Sequence, residues 1–225
     1  LLAYDDGIDY ALTVADLTGD GFPDAIVGDR VDSTVASGGG AVYVLPGPIS
    51  GGDHDLASSA TATYWGDNGG YAGTAVAAGG DTDGDGIGDL LIGAVYADTL
   101  DIQRSGHAYL IRGGGLADAV LSEADVVLTG VSTWSYAGKC VAFGDMNGDG
   151  FADMLVSARG QGAASAGMVY VVYGPAGGTF SLDLADATII GEREDDQFGW
   201  STAAADVTGD GTDDLLVGAT GGFGL

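Results

Sequence analysis

Four stretches of the chain share the pattern D-x-[DNT]-G-D-G-x-x-D: DLTGDGFPD from Asp16, DTDGDGIGD from Asp81, DMNGDGFAD from Asp145 and DVTGDGTDD from Asp206. Carboxylates crowded at every second or fourth place repel one another unless a cation holds them. Aspartates at relative positions 1, 5 and 9, with Asp, Asn or Thr at 3, offer hard oxygen donors around one ion. A backbone carbonyl at position 7 adds a further donor, and Gly at 6 permits the sharp turn. Oxygen-only ligation without His or Cys nearby excludes zinc and copper sites. Magnesium retains its waters and takes few protein ligands, so the expected ion is Ca2+, at up to four sites.

EF-hand-type loops begin with the same string, but they end in a bidentate acid at position 12 and run into a helix. Here position 12 holds Val27, Ile92, Val156 and Val217. A β-branched aliphatic binds no calcium and belongs in a strand, so each loop reads as strand-loop-strand. A metal-free Asp-Gly hairpin would account for one such string but hardly for four.

The elements around the loops repeat as well. First aspartates at 16, 81, 145 and 206 give a period of roughly 64 residues, the signature of a tandem architecture. Ahead of three loops stands an aromatic signal, YAG at Tyr71, YAG at Tyr136 and FG at Phe198, whereas the first copy has IDYA around Ile8. Downstream come GGAVYVLPG (39–47), SGHAYLIRG (105–113) and AGMVYVVYG (166–174), then ATATYWGD, ADVVLTG and ADATIIG. These short runs are rich in Val, Ile, Leu and Tyr, are bounded by turn formers, and lack a helical period, so they predict strands. The runs after the loops (LLIGA, MLVSA, LLVGA) are apolar at consecutive positions, as in strands covered on both faces. Four short strands per repeat predict an all-β fold, a β-propeller of four-stranded antiparallel blades. A β-sandwich would not produce this period.

Taken together, the aromatic-Gly signal, the D-x-D/N-G-D-G-x-x-D loop, the apolar run ending near Gly-Ala and the G-x-V-Y-V segment resemble the FG-GAP repeats of the integrin alpha-chain propeller. They are similar also to secreted bacterial proteins built from such repeats. The Pro of the GAP signature is absent, and the first repeat lacks its aromatic-Gly. The resemblance implies one propeller segment over residues 1–225, with repeats at about 6–65, 66–130, 131–191 and a partial 192–225. That is about 3.5 blades, to be set against a ring of seven. The remaining blades are expected from the same longer chain or from a second copy. The resemblance also implies the ligand sets: Asp16, Thr18, Asp20, Phe22 (carbonyl) and Asp24; Asp81, Asp83, Asp85, Ile87 (carbonyl) and Asp89; Asp145, Asn147, Asp149, Phe151 (carbonyl) and Asp153; Asp206, Thr208, Asp210, Thr212 (carbonyl) and Asp214. A neutral hydroxyl at position 3 predicts weaker binding in the first and fourth loops. Asp83 makes the second loop the expected tightest site.

Composition narrows the function. A formal charge of −27, with 6 Lys and Arg against 33 Asp and Glu, excludes binding dominated by phosphate neutralisation, hence nucleic acid, and attraction to anionic membranes. No apolar stretch reaches the length of a membrane span, and the opening LLAYDDGIDY has neither the basic start nor the apolar core of a signal peptide. Cys140 reads as a small buried strand residue. His54 falls in a polar loop and His107 in a strand, outside any nucleophile-elbow or metal-hydrolase motif. Asp195 and Asp196 read as a solvated loop rather than an acid/base pair. Trp65, Trp134 and Trp200 recur near the junctions between repeats, which suggests packing. The expectation is a non-catalytic, extracellular or cell-surface calcium-binding module for adhesion, ligand binding or surface assembly, with a protein or glycan ligand on the propeller face. The alternatives are a non-catalytic part of a larger secreted enzyme and a structural subunit that self-associates.

Overall fold

The computed structural model describes residues 10–99, 101–162 and 165–221; the IDYA variant at Ile8 and the two ends of the proposed repeat span lie partly outside them. Successive runs of the chain form antiparallel sheets. The first contains β1 (Tyr10–Ala15), β2 (Asp24–Asp29), β3 (Ala41–Leu45) and β4 (Ala62–Trp65). The second contains β5 (Ala72–Gly80), β6 (Asp89–Ala94), β7 (His107–Ile111) and, after the two-residue β8 (Ala119–Val120), β9 (Val126–Thr129). The third contains β10 (Ala137–Gly144), β11 (Asp153–Ala158), β12 (Met168–Val172) and, after β13 (Gly178–Ser181), β14 (Ala187–Ile190). In the fourth, β15 (Ser201–Ala205) pairs with β16 (Asp214–Gly218). The only α-helix among the described residues is one turn, α1 (Leu56–Ser59), capped by Asp55, whose side chain accepts from Ser58 N. This is the blade pattern of a partial β-propeller.

The sheets pack face to face, as the consecutive apolar runs predict. Alternate residues of β6 point to opposite neighbours: Leu90 and Ile92 join Ile26, Val42, Val44 and Tyr64 of the first sheet. Leu91 joins Met154, Val156 and Tyr170 of the third. All six residues of β6 and of β11 are buried, whereas β2 alternates buried with half-buried positions. Burying a Leu or Ile in this way contributes on the order of 2 kcal/mol each.

Glycine lets neighbouring blades touch through their backbones. Gly40, Gly106 and Gly167 form isolated parallel bridges to Ala72, Ala137 and Phe198 of the next blade. A Cβ on Gly106 would meet Ala137 O at 2.1 Å, and its φ of 72° is left-handed. The Gly that opens each G-x-V-Y-V segment is therefore the residue that admits the following blade.

One feature departs from four-stranded blades. β8 pairs in parallel with β4, and β13 pairs in parallel with β9, so two sheets gain a fifth strand from the blade that follows. Thr63 N donates to Asp118 Oδ1 (2.8 Å), and Arg112 Nη2 to Ala176 O (3.0 Å), beside these clasps. The physical reason is the outer strand, whose free N–H and C=O groups would otherwise form an open edge.

Candidate metal centres

Each Asp loop is the hairpin between the first two strands of its blade: β1–β2, β5–β6, β10–β11 and β15–β16. The aliphatic at position 12 lies inside the second strand in every copy, and Ile92 and Val156 are fully buried. The position-1 carboxylate organises the turn. Asp81 Oδ1 accepts from Gly84 N (2.7 Å) and its Oδ2 from Gly86 N (2.9 Å). The same pair is made by Asp16 with Gly19 and Gly21, Asp145 with Gly148 and Gly150, and Asp206 with Gly209 and Gly211. Both glycines are left-handed in each loop, with φ of 81° and 86° in the second. Position 4 thus needs Gly for the same reason as position 6. The position-5 carboxylate accepts from the position-7 N–H, as between Asp85 Oδ1 and Ile87 N (2.8 Å). Phe22, Phe151 and Thr212 repeat that bond.

These bonds hold two of the acids, Asp16 and Asp210, below their ordinary range. Burial pushes the Asp16 carboxyl up, but the Gly21, Gly19 and Asp20 N–H groups and the Thr18 hydroxyl outweigh it and leave the group below its ordinary range. The Thr212 hydroxyl and N–H hold Asp210 down in the same way. In the third loop Asn147 both accepts from Asp149 N and donates to Asp149 Oδ2 (2.9 Å each).

Asp81, Asp83 and Asp85 are the one group of three acids among the described residues whose donor oxygens lie within 4.8 Å of one another. This all-oxygen donor set fits a hard divalent cation. Beside it, however, Arg112 Nε lies 3.0 Å from Asp83 Oδ2. The acid that distinguishes the second loop is therefore already paired with a cation.

The position-9 aspartates stand apart from that cluster and have a structural task. Asp24 Oδ2 accepts from Leu17 N (2.9 Å) and Thr18 N (3.1 Å), and its Oδ1 from Gly47 N (3.0 Å). Asp89 ties Thr82 to Gly113, and Asp153 ties Met146 to Gly174. Asp214 accepts from Val207 N and Thr208 N. Asp24, Asp89 and Asp153 are buried, and burial pushes the Asp89 and Asp153 carboxyls up against the pull of their donors. Each binds the start of its loop to the end of the blade's third strand.

Neighbouring loops also touch. Ala152 N donates to Asp81 O (2.8 Å), and Asp213 N to Asp145 O (2.9 Å). Position-7 side chains lean on the preceding loop, so that a Cβ on Gly84 would meet Phe151 Cε1 at 2.7 Å. Between the second and third loops opens a groove of about 420 Å³ lined by Asp81, Phe143, Asp145, Phe151 and Asp213.

The remaining singled-out residues lie elsewhere. His54 Nε2 meets Ser50 O in its exposed loop (2.8 Å). His107 is buried with Nδ1 2.9 Å from the Tyr109 hydroxyl. Cys140 is half-buried rather than buried, because it sits on the face of β10 against β15, where its Sγ accepts from Thr202 N. Trp134 and Trp200 depart from the packing expected of them: they are 46% and 41% exposed. Both stand in or beside turns at the ends of the sheets rather than between them. Sequence reasoning missed the pairing of Arg112 with Asp83, for which spacing carries no signal.

The FG-GAP repeat family model matches residues 141–172 and 198–224. Integrin alpha-5 of Xenopus laevis is 30% identical over 231 residues, covering 97% of this chain and 20% of that protein. Phosphatidylinositol-glycan-specific phospholipase D of Bos taurus is 35% identical over 147 residues, 62% of this chain and 17% of the enzyme. Integrin alpha-PS2 of Drosophila melanogaster is 30% identical over 149 residues, 62% of this chain and 11% of that protein. The chain thus spans a fifth or less of the length of these relatives. With the repeated loops, the face-to-face blades and these matches in hand, the chain is a run of FG-GAP repeats of the integrin alpha-like β-propeller kind.

Proposed function

We propose that this propeller segment is a calcium-stapled recognition module that works outside the cell. The observation that carries the reading is the Asp81, Asp83 and Asp85 cluster, oxygen donors within 4.8 Å of one another on a loop pre-folded by its own N–H groups. Positions 1, 3 and 5 and the position-7 carbonyl would hold the ion in each loop, with the position-9 carboxylate completing the set through lone pairs its backbone ties leave open, and the ion would neutralise carboxylates that otherwise repel. Extracellular modules bind calcium near 10⁻⁴–10⁻³ M. At roughly millimolar calcium, mass action gives on the order of 0.5–1.5 kcal/mol per site, a modest staple that works where calcium is abundant.

On this reading the module is itself non-catalytic and presents the face away from the Asp loops to a protein or glycan ligand in adhesion, binding or surface assembly. Further blades, from a longer chain or a second copy, would continue the ring. A second reading, the propeller part of a larger secreted enzyme, is favoured by the 35% identity to an enzyme, phosphatidylinositol-glycan-specific phospholipase D. Thermal melting in calcium and in chelator tests the first reading. Calcium should raise the midpoint, and Asp81→Asn with Asp85→Asn should remove part of the gain. A melt indifferent to chelator refutes the staple.

A further inference from the structure

The end of the blades opposite the Asp loops carries a continuous strip of rings and cations. β5 separates Tyr71 from Asp81, and β10 separates Tyr136 from Asp145, so the two ends lie about 25–30 Å apart at 3.3 Å per residue. Along the strip, Tyr71 packs edge-on to Tyr96 (5.2 Å), Tyr96 to Tyr136 (5.7 Å) and Trp134 to Tyr136 (6.1 Å). Arg104 lies over Tyr96 (5.1 Å) and Trp134 (4.7 Å). Arg159 lies over Tyr136 (4.7 Å) and Trp200 (5.2 Å), with Lys139 over the same indole (5.2 Å).

Two observations need explaining. In a chain with 33 acids and 6 cations, three cations gather here, and among the described residues the guanidinium groups of Arg104 and Arg159 are held on aromatic faces rather than on a carboxylate, Asp98 taking only the backbone N–H of Arg104. Among the described residues, Arg159 Nη1 donates to the neutral Gln197 Oε1 (3.1 Å). Secondly, Tyr71 (φ 55°), Arg104 (49°), Trp134 (65°), Tyr136 (57°) and Gln197 (50°) all take the left-handed conformation that glycine adopts without strain. Bulky side chains in such positions concentrate at functional sites, where their contacts repay the strain.

We propose that this strip binds an acidic glycan, with Arg104 and Arg159 pairing its carboxylates and Trp134 and Trp200 stacking on its sugar rings. Stacking on aromatic faces fixes each guanidinium while leaving in-plane N–H groups for a carboxylate fork. Exposed indoles offer flat apolar faces to the C–H faces of a pyranose. A peptide laid along a sheet edge would need a row of free backbone groups, and apart from Lys139 in β10 the strip lies in turns and at strand ends. Three cations are too few for nucleic acid.

The inference rests on the recognition reading above, and its test is separate from the calcium melt. Tryptophan fluorescence is titrated with hyaluronan octasaccharide, whose uronates carry the charge, and with the same oligosaccharide after carboxyl reduction. The titration is run in calcium at about 0.15 M salt, where charges beyond about 8 Å are screened. The acidic form should quench saturably and bind about tenfold or more tightly than the reduced form, as expected for a charge-assisted pair. Arg104→Gln with Arg159→Gln should abolish the difference while the calcium-dependent melt is retained. Equal binding of the two forms, or binding of neither, overturns the proposal with the calcium reading intact. Poly-glutamate binding as tightly as the oligosaccharide overturns it in favour of an acidic protein ligand.

Discussion

Arg112 is expected to weaken the very calcium site that Asp83 strengthens. Its Nε lies 3.0 Å from Asp83 Oδ2, and a calcium ion on the same oxygen would sit about 2.4 Å away. Two cations on one oxygen are then about 5 Å apart. A +2 and a +1 charge at that distance in water repel by about 1.7 kcal/mol, and screening at physiological salt cuts this to about 1 kcal/mol. Arg112→Gln should therefore tighten the second loop about fivefold. The lost bond from the charged Arg112 Nη2 to Ala176 O should cost about 1–3 kcal/mol of stability. Isothermal calorimetry with calcium measures the change, and Asp83→Asn in the same background should erase it. A site that weakens or stays the same in Arg112→Gln refutes the reasoning, because the guanidinium would then be supporting the loop or swinging clear of it.

Two further outcomes follow from buried groups. Asp153→Ala leaves Met146 N and Gly174 N without their acceptor and should cost about 2–5 kcal/mol in urea denaturation even in chelator; Asp149→Ala, in the exposed part of the loop, should cost little there. If Asp153→Ala costs stability only in calcium, the residue is a ligand and not a structural tie. Burial pushes His107 down to about 4 from an ordinary 6.5. The unfolded chain takes up a proton between those values and the folded chain does not, so stability should fall as pH drops through that window. The loss is about 1.4 kcal/mol per pH unit, up to about 3 kcal/mol in all. His107→Phe should remove this share while the carboxylates keep theirs, and equal pH slopes in the two proteins would exclude the effect.

Much of the fold was legible because its information is local. The loop string, the aliphatic at position 12 and the β-branched runs each lie within one hairpin, so spacing alone distinguished strand-loop-strand from an EF-hand. Consecutive apolar residues in LLIGA announced a strand covered on both faces, and Leu90, Leu91 and Ile92 are shared between two cores accordingly. The parallel fifth strands were not legible: Ala119–Val120 and Gly178–Ser181 are too short to show a period, and their partners lie in the preceding blade. Trp65 packs against Tyr43 and Leu45 as expected, but Trp134 and Trp200 misled, since recurrence near a junction does not say whether a turn or a sheet interior receives the ring.

The amino-acid sequence by itself determined the repeat, the strands and the crowding of oxygen donors, because each depends on residues a few places apart. Tertiary structure alone decided that Asp153 accepts from Gly174, that Arg112 pairs with Asp83, and that Arg104 and Arg159 share one aromatic strip. These partners stand tens of residues apart and meet only once hairpins stack into blades, so their charges and rings are read in space and leave no period in the chain.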